Sequence, residues 1–239
     1  MPKLTIIGPG RLGKTISARL NIPHELIGKH QSIPNADIYY LTVPDRMIQE
    51  VQKNLPEGKI VIHASGCMDH TILRPHEHTA VLHPLMTFPG PEIHIPSGQI
   101  PASISGDDDA CEHAYWLAKQ AGFQPFSYSG NRTRYHCAAV LAGNCGALLL
   151  HLSAQIMARD TEMTIEEAQQ KLAPLVFSSL SNTLNVGIQK SSTGPASRGD
   201  LSTIDKHRAE LLSFDDHILR TYDVLMESLG TTLKKESIE

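Results

Sequence analysis

Three glycines at fixed spacing constrain this 239-residue chain more than any other feature of it. Gly8-Pro9-Gly10-Arg11-Leu12-Gly13 follows a short apolar run at 3–7 and opens a helical pattern at 11–20. Three glycines in six residues carry little alone. Between a strand and a helix they supply a tight turn (Gly8), an unobstructed backbone (Gly10) and close strand–helix packing (Gly13). A helix starting there aims its free amides and the positive end of its dipole at the turn, which suits a pyrophosphate. The turn is therefore expected to hold a dinucleotide among Gly8, Pro9, Gly10, Arg11, Leu12 and Gly13. A turn with a purely structural role is the alternative.

The rest of the first half alternates in the same way. Strand patterns fall at 24–27, 37–43, 59–63, 80–83, 102–105 and 124–128, with helical patterns at 47–54 and 107–121 and a Pro/Gly-punctuated loop over 84–101. Short buried strands alternating with helices indicate an α/β fold, a doubly wound and mostly parallel sheet of Rossmann-like type. Beyond Gly130 the character changes to helical patterns at 132–159, 165–190 and 204–229, the second opened by the capping-box-like Thr164-Ile165-Glu166-Glu167. The expected division is a nucleotide-binding domain over 1–130 and an all-α domain over 131–239.

The cofactor type is argued from what is missing. An NAD site usually places Asp or Glu about 20 residues beyond the turn, on the ribose 2′-hydroxyl. Here that segment reads Gly28-Lys29-His30-Gln31-Ser32. Lys29, His30 and Ser32 suit a 2′-phosphate, which an acid would repel, so NADP(H) is the expected cofactor.

A formal charge of −4, with scattered cations, offers no basic stripe for nucleic acid. Cys67, Cys111, Cys137 and Cys145 form no Cys-x-x-Cys pair, so neither a disulfide framework nor a structural zinc site is expected. The start runs directly into a strand, leaving no expected signal peptide, and a reducing cytoplasm is the expected compartment. Residues 137–158 contain no Asp, Glu, Lys or Arg and are long enough to span a bilayer. Asn144, His151, Ser153 and Gln155 argue against lipid, and a buried helix is expected instead.

Several segments resemble a known group. Ala36-Asp37-Ile38 through Thr42-Val43-Pro44-Asp45, His63-Ala64-Ser65-Gly66 and His83-Pro84-Leu85 are similar to the nucleotide-domain pattern of the phosphogluconate dehydrogenase superfamily. Pyrroline-5-carboxylate reductase and the deazaflavin-dependent NADP oxidoreductases are members. Tyr135-His136-x-Ala138-Ala139 to Asn144, and Thr193-Gly194-Pro195 with Arg198-Gly199-Asp200, resemble a subgroup that joins this domain to a helical domain of unknown function. The resemblance implies a C-terminal domain like that of phosphogluconate dehydrogenase, used for homodimerisation, and an active cleft between the domains. By analogy alone it implies a reductase or dehydrogenase. Several of those enzymes carry a lysine four residues before the helical asparagine; here that position is Val140, so their lysine-based proton transfer does not carry over.

His136, eight residues before Asn144, is the preferred proton donor to a carbonyl oxygen or imine nitrogen, because its intrinsic pKa lies near neutrality. Asn144 would orient the substrate or the histidine. The alternative is a polar junction histidine and a buried, capping asparagine. Arg198, Asp200, Thr203 and His207 form a second candidate group: the last three share a helix face, and Arg198 suits a carboxylate or phosphate. Helix capping by Asp200 or Ser202 is the plainer explanation. Ser65 and His83 follow strand ends, where open sheets collect ligands. Ser65 is assigned to nicotinamide or substrate, His83 to substrate, and Val43 and Pro44 to the cofactor ribose. His76-x-His78 with His63, His70 and His83 raises a metal site, but nothing in the spacing converges three ligands, and none is expected. The expected activity is hydride transfer between NADP(H) and a small polar carbonyl, imine or hydroxy compound; a non-catalytic NADP(H)-binding sensor or regulator is the alternative.

Overall fold

The computed structural model describes residues 1–90 and 100–235. Its strands are β1 (Leu4–Ile7), β2 (His24–Ile27), β3 (Ile38–Leu41), β4 (Ile60–His63), β5 (His78–Pro84), β6 (Ile100–Gly106) and β7 (Phe123–Ser127). They form one sheet in the order β2-β1-β3-β4-β5-β6-β7. The first five pair in parallel; β6 runs antiparallel to β5, and β7 is parallel to β6. The doubly wound, mostly parallel α/β sheet of Rossmann-like type is thus present. The chain passes from β1 to one side and returns to the other, so β1 and β3 form the switch point at which such sheets bind ligands.

Strands buried on both faces read as continuous apolar runs, and β3 shows the physics. Ile38, Tyr39, Tyr40 and Leu41 are all wholly buried. The two tyrosines bury rings without orphaning hydroxyls: Tyr40 Oη donates to Leu82 O at 2.8 Å, and Tyr39 Oη donates to Pro34 O at 2.9 Å. Around the sheet lie α1 (Arg11–Arg19), α2 (Asp45–Gln52) and α3 (Asp108–Gln120), with a short 3₁₀ turn at His70–Leu73. Of the loop expected over 84–101, the middle lies outside the described residues.

The helical half contains α4 (Arg132–Val140), a π-helical turn at Leu141–Cys145, α5 (Gly146–Ala158), α6 (Ile165–Ser191), α7 (Pro195–Arg198), α8 (Leu201–Leu212) and α9 (Asp216–Lys235). The chain divides into two compact units, Met1–Asn144 and Cys145–Glu239. The boundary expected near Gly130 precedes α4, but α4 belongs with the sheet, because Arg132 and Tyr135 bury themselves there. The single helix expected over 204–229 is broken at Ser213–Asp215, where Asp215 Oδ1 accepts from His217 N at 2.7 Å and so caps α9. The capping box at Thr164 is formed in full, Glu167 N to Thr164 Oγ1 at 3.1 Å and Thr164 N to Glu167 Oε2 at 2.8 Å.

One expectation fails. The apolar run 137–158 is helical but not buried: Val140, Leu141, Leu148, Ile156 and Met157 are exposed. By length and composition the helical run Arg132–Ala158 is long and apolar enough to cross a membrane. Its polar residues nonetheless find protein partners: His151 Nδ1 lies 3.3 Å from Gln169 Nε2, and Ser153 Oγ donates to Leu149 O at 2.8 Å.

Candidate functional site

The glycine turn follows β1 at the switch point, and its three glycines have different reasons to be glycine. Gly8 has φ +118°, and a Cβ there would lie 2.9 Å from the Thr42 and Val43 backbone. At Gly13 a Cβ would come within 2.0 Å of Gly8 O and 2.6 Å of Thr42 Oγ1. Thr42 Oγ1 in turn donates to Gly8 O at 2.8 Å, locking β3 to the turn. At Gly10 a Cβ would meet nothing within 4 Å. The protein's own packing therefore requires Gly8 and Gly13, while Gly10 faces open space. Gly10 also begins α1 with no side-chain cap, and the amides of that first turn have no partner within the helix. An open approach to free amides at a helix N-terminus is what a pyrophosphate needs.

Pro9 packs against the end of β2, its Cγ 3.4 Å from where a Gly28 side chain would begin. Gln31 Oε1 accepts from Gly28 N at 2.6 Å and shapes the loop. Lys29, His30 and Ser32 are exposed on it, with no acid nearer in sequence than Glu25 and Asp37. Val43 and Pro44 follow β3, and Pro44 precedes α2.

Gly8, Thr42–Pro44, Ala64–Gly66 and His83 all follow or end parallel strands, so they share one edge of the sheet. Ser65 is present there, but its hydroxyl is committed. It donates to Asp45 Oδ2 at 2.8 Å and accepts from Cys67 N at 3.2 Å and Met68 N at 3.0 Å. A hydroxyl with three such partners has no capacity left for a substrate; the structure gives Ser65 the role of tying α2 to the turn after β4.

His63 is similarly used up: Nδ1 accepts from Ser65 N at 3.1 Å, and Nε2 donates to Asp69 O at 3.2 Å. Burial pushes its pKa down to about 4, aided by Arg132. Among the described residues no three of His, Cys, Asp and Glu converge as a metal site.

The second feature is a cavity of about 800 Å³ along α4, lined by both expected catalytic residues, His136 and Asn144, and by His83, Tyr128, Arg134 and Tyr135. In a regular helix His136 and Asn144 would lie about 80° apart around the axis, on one broad face. The π turn at Leu141–Cys145 contains Asn144, which is exposed where it lines the cavity. His83 Nδ1 lies 3.0 Å from Tyr135 Oη, and the His83 and His136 rings meet edge to face at 6.1 Å. Gly66 makes room for both: a Cβ there would fall 2.6 Å from His136 Cδ2 and 2.8 Å from His83 Nε2. Burial first, then the charge of Arg132, pushes His83 down to about 4, so it is neutral at pH 7. A neutral imidazole bonded to a phenol can hold or pass a proton without carrying charge.

Tyr135, Gly66 and Arg132 escaped the sequence reading as site residues. Arg132 is 4 % exposed and has no carboxylate partner among the described residues. Nη1 donates to Ser103 Oγ at 2.9 Å and Nη2 to Ser65 O at 3.2 Å, with the guanidinium over the Tyr135 and Tyr128 rings. The available signal was an Arg-x-Arg pair in the first turn of a helix, where cations are disfavoured.

The group expected around Arg198 lies in the second unit and makes local contacts. Asp200 caps α8, accepting from Thr203 N at 3.1 Å and Thr203 Oγ1 at 2.7 Å. Arg198 donates to Thr193 O, and His207 Nδ1 lies 2.8 Å from Tyr222 Oη. Pro195 sits at the start of α7 and Gly199, at φ +66°, ends it. The Thr193-Gly194-Pro195 and Arg198-Gly199-Asp200 motifs thus build a helix–turn–helix joint.

Sheet order and glycine turn define a Rossmann-like α/β protein. The chain belongs to the family described as a domain of unknown function, DUF2520, which matches residues 100–229. A comparison with curated proteins finds no match. Among solved structures, the chain is similar to protein TM1727 from Thermotoga maritima, with TM-score 0.76 and 24% identity over 98% of this chain and 99% of that one. It is also similar to BF3122 from Bacteroides fragilis, provisionally called an NADP oxidoreductase, with TM-score 0.79 and 18% identity over 96% and 98%. A reductive aminase from Aspergillus terreus, solved with NADPH and ethyl-5-oxohexanoate, gives TM-score 0.70 and 14% identity over 95% and 93%. At these identities the likeness shows the fold.

Proposed function

We propose that this protein is an NADP(H)-dependent oxidoreductase acting on a small carbonyl, imine or hydroxy compound held in the α4 cavity. The observation that carries the proposal is Gly10, a glycine that the protein's own packing does not need, at the mouth of an uncapped helix. Solved neighbours that bind NADPH or are called NADP oxidoreductases support it. The bound nicotinamide would supply or accept hydride. Gly8 to Gly13 hold the pyrophosphate, and Lys29, His30 and Ser32 meet the 2′-phosphate. Val43 and Pro44 border the ribose. A ring nitrogen of His136 gives the proton to the carbonyl oxygen or imine nitrogen, and Asn144 orients the substrate. The His83–Tyr135 pair fixes the cavity floor without adding charge.

The paired variants Gly10→Ala and Gly13→Ala test this. Saturating NADPH at about 100 times its dissociation constant should stabilise the wild type by roughly 2.7 kcal/mol. Gly10→Ala should keep its melting temperature without ligand but lose most of the NADPH-induced rise. Gly13→Ala should lose stability outright, by about 2–3 kcal/mol from overpacking. An unchanged NADPH response in Gly10→Ala, or a larger rise with NADH than with NADPH, would refute the cofactor assignment.

Val140, standing where related enzymes carry lysine, favours a second reading: a sensor that binds NADP(H) without turnover. Hydride loss from labelled NADPH in the presence of a carbonyl and imine panel separates the two.

The helical unit carries Leu148, Leu175, Phe177, Leu180 and Leu184 exposed, more apolar surface than an isolated monomer leaves in water. We assign these exposed apolar surfaces to contact with a second copy of the chain, forming a homodimer in a reducing cytoplasm.

A further inference from the structure

The first turn of α4 breaks a local rule. Helix N-termini favour acids and disfavour cations, yet α4 opens Arg132-Thr133-Arg134 with no acid in that turn. Arg132 is buried on neutral oxygens, and its Nε has no hydrogen-bond partner among the described residues. Arg134 is exposed, lines the cavity and forms no ion pair among the described residues. Among the described residues no Asp or Glu lines the cavity, whose walls are otherwise largely apolar at Leu85, Met86, Ala139 and Val140. Two guanidiniums and a helix dipole therefore add their potentials with no carboxylate to balance them, against walls of low dielectric that focus the field. Departures from local preference of this kind concentrate at functional sites, where a ligand supplies what the chain lacks.

We propose that the α4 cavity selects monoanionic substrates, small oxo or imino acids whose carboxylate is taken by Arg134. Their apolar bodies lie along Leu85, Met86 and Val140, which leaves the carbonyl or imine for His136. Arg134 is the single accessible guanidinium lining the cavity among the described residues, and its planar fork matches one carboxylate through two parallel hydrogen bonds. Arg132, underneath the tyrosine rings, acts as a positioning residue: it adds positive potential and stacks on Tyr135. The oxo or imino group in this proposal rests on the oxidoreductase reading; recognition of the carboxylate does not depend on turnover.

The test uses titration calorimetry of the full chain with 4-methyl-2-oxopentanoate and with its uncharged carboxamide, in low salt and with saturating NADP⁺. The acid should bind about tenfold more tightly than the amide, the scale of one charge-assisted pair. Arg134→Met should bring the two affinities within about twofold, and Arg134→Lys should keep part of the preference. The NADPH-induced rise in melting temperature should be the same in Arg134→Met as in the wild type, because the glycine turn is untouched. Equal affinities in the wild type, a preference that survives Arg134→Met, or binding of neither compound overturns the proposal. Loss of the NADPH response with the acid preference intact, measured again without nucleotide, would instead refute the oxidoreductase reading and leave anion selection standing.

Discussion

The two units use the same kinds of apolar residue to different ends. In Met1–Asn144, side chains such as Ile38, Tyr40, Ile62 and Leu82 are wholly buried by their own unit's strands and helices. In Cys145–Glu239 the buried hydrophobic residues among those described are Ala154, Ala168, Leu211 and Ile218, while Leu175, Phe177 and Leu184 are exposed. A sheet wrapped by helices closes its own core. A few long helices cannot cover all their faces and leave apolar surface open. The first unit therefore closes its own core, whereas the second leaves apolar helix surface uncovered, the surface proposed above for a second copy.

The largest expected effect breaks that contrast directly. Phe177→Glu with Leu184→Glu should abolish the homodimer, each removed anchor costing on the order of 2–4 kcal/mol if central to the interface. Sedimentation velocity reads the outcome, and a wild-type monomer at micromolar concentration would end the dimer proposal. Next in size is an acid response confined to the first unit. His63 and His83 have folded-state values near 4, below the ordinary 6.5, so the unfolded chain binds protons first as the pH falls. Stability is full above pH 6.5 and declines toward pH 4, by roughly 2–3 kcal/mol per imidazole at the lower limit. Urea midpoints between pH 7 and 4.5 should show the slope, and His83→Gln should flatten part of it. The smallest effect belongs to the second unit: Thr164→Ala removes half of the capping box and should cost about 1 kcal/mol. Thermal melts at fixed protein concentration would detect it, since dimerisation would make the melting temperature concentration-dependent.

Local signals made much of this legible. The glycine turn, the buried run of β3 and the capping box at Thr164 each work within a few residues, and each appeared where expected. The Ser213–Asp215 break was missed because Asp215 mimics an ordinary charged helix position until its side chain is seen capping α9. The antiparallel β6 was missed because strand direction leaves no mark on a short apolar run. Ser65 was assigned to nicotinamide or substrate because nothing in His63-Ala64-Ser65-Gly66 shows that Asp45, twenty residues earlier, would accept its hydrogen bond. The apolar helix at 137–158 was read as buried because composition registers a hydrophobic face and not what covers it.

By itself, then, the chain's order of residues determined the strand–turn–helix unit at Gly8 to Gly13, the sequence of sheet followed by helices, and the residues His136 and Asn144 as candidates. Short-range geometry sets those features, and short-range geometry is written in neighbouring residues. Tertiary structure alone decided that Gly10 is the glycine with open space before it. It also brought His83 and His136 around Gly66, with Tyr135 against His83, placed Asn144 in a π turn lining the same cavity, and left Arg132 and Arg134 without an acidic partner among the described residues. Those outcomes depend on which distant side chains meet, and that is settled only when the whole sheet has packed.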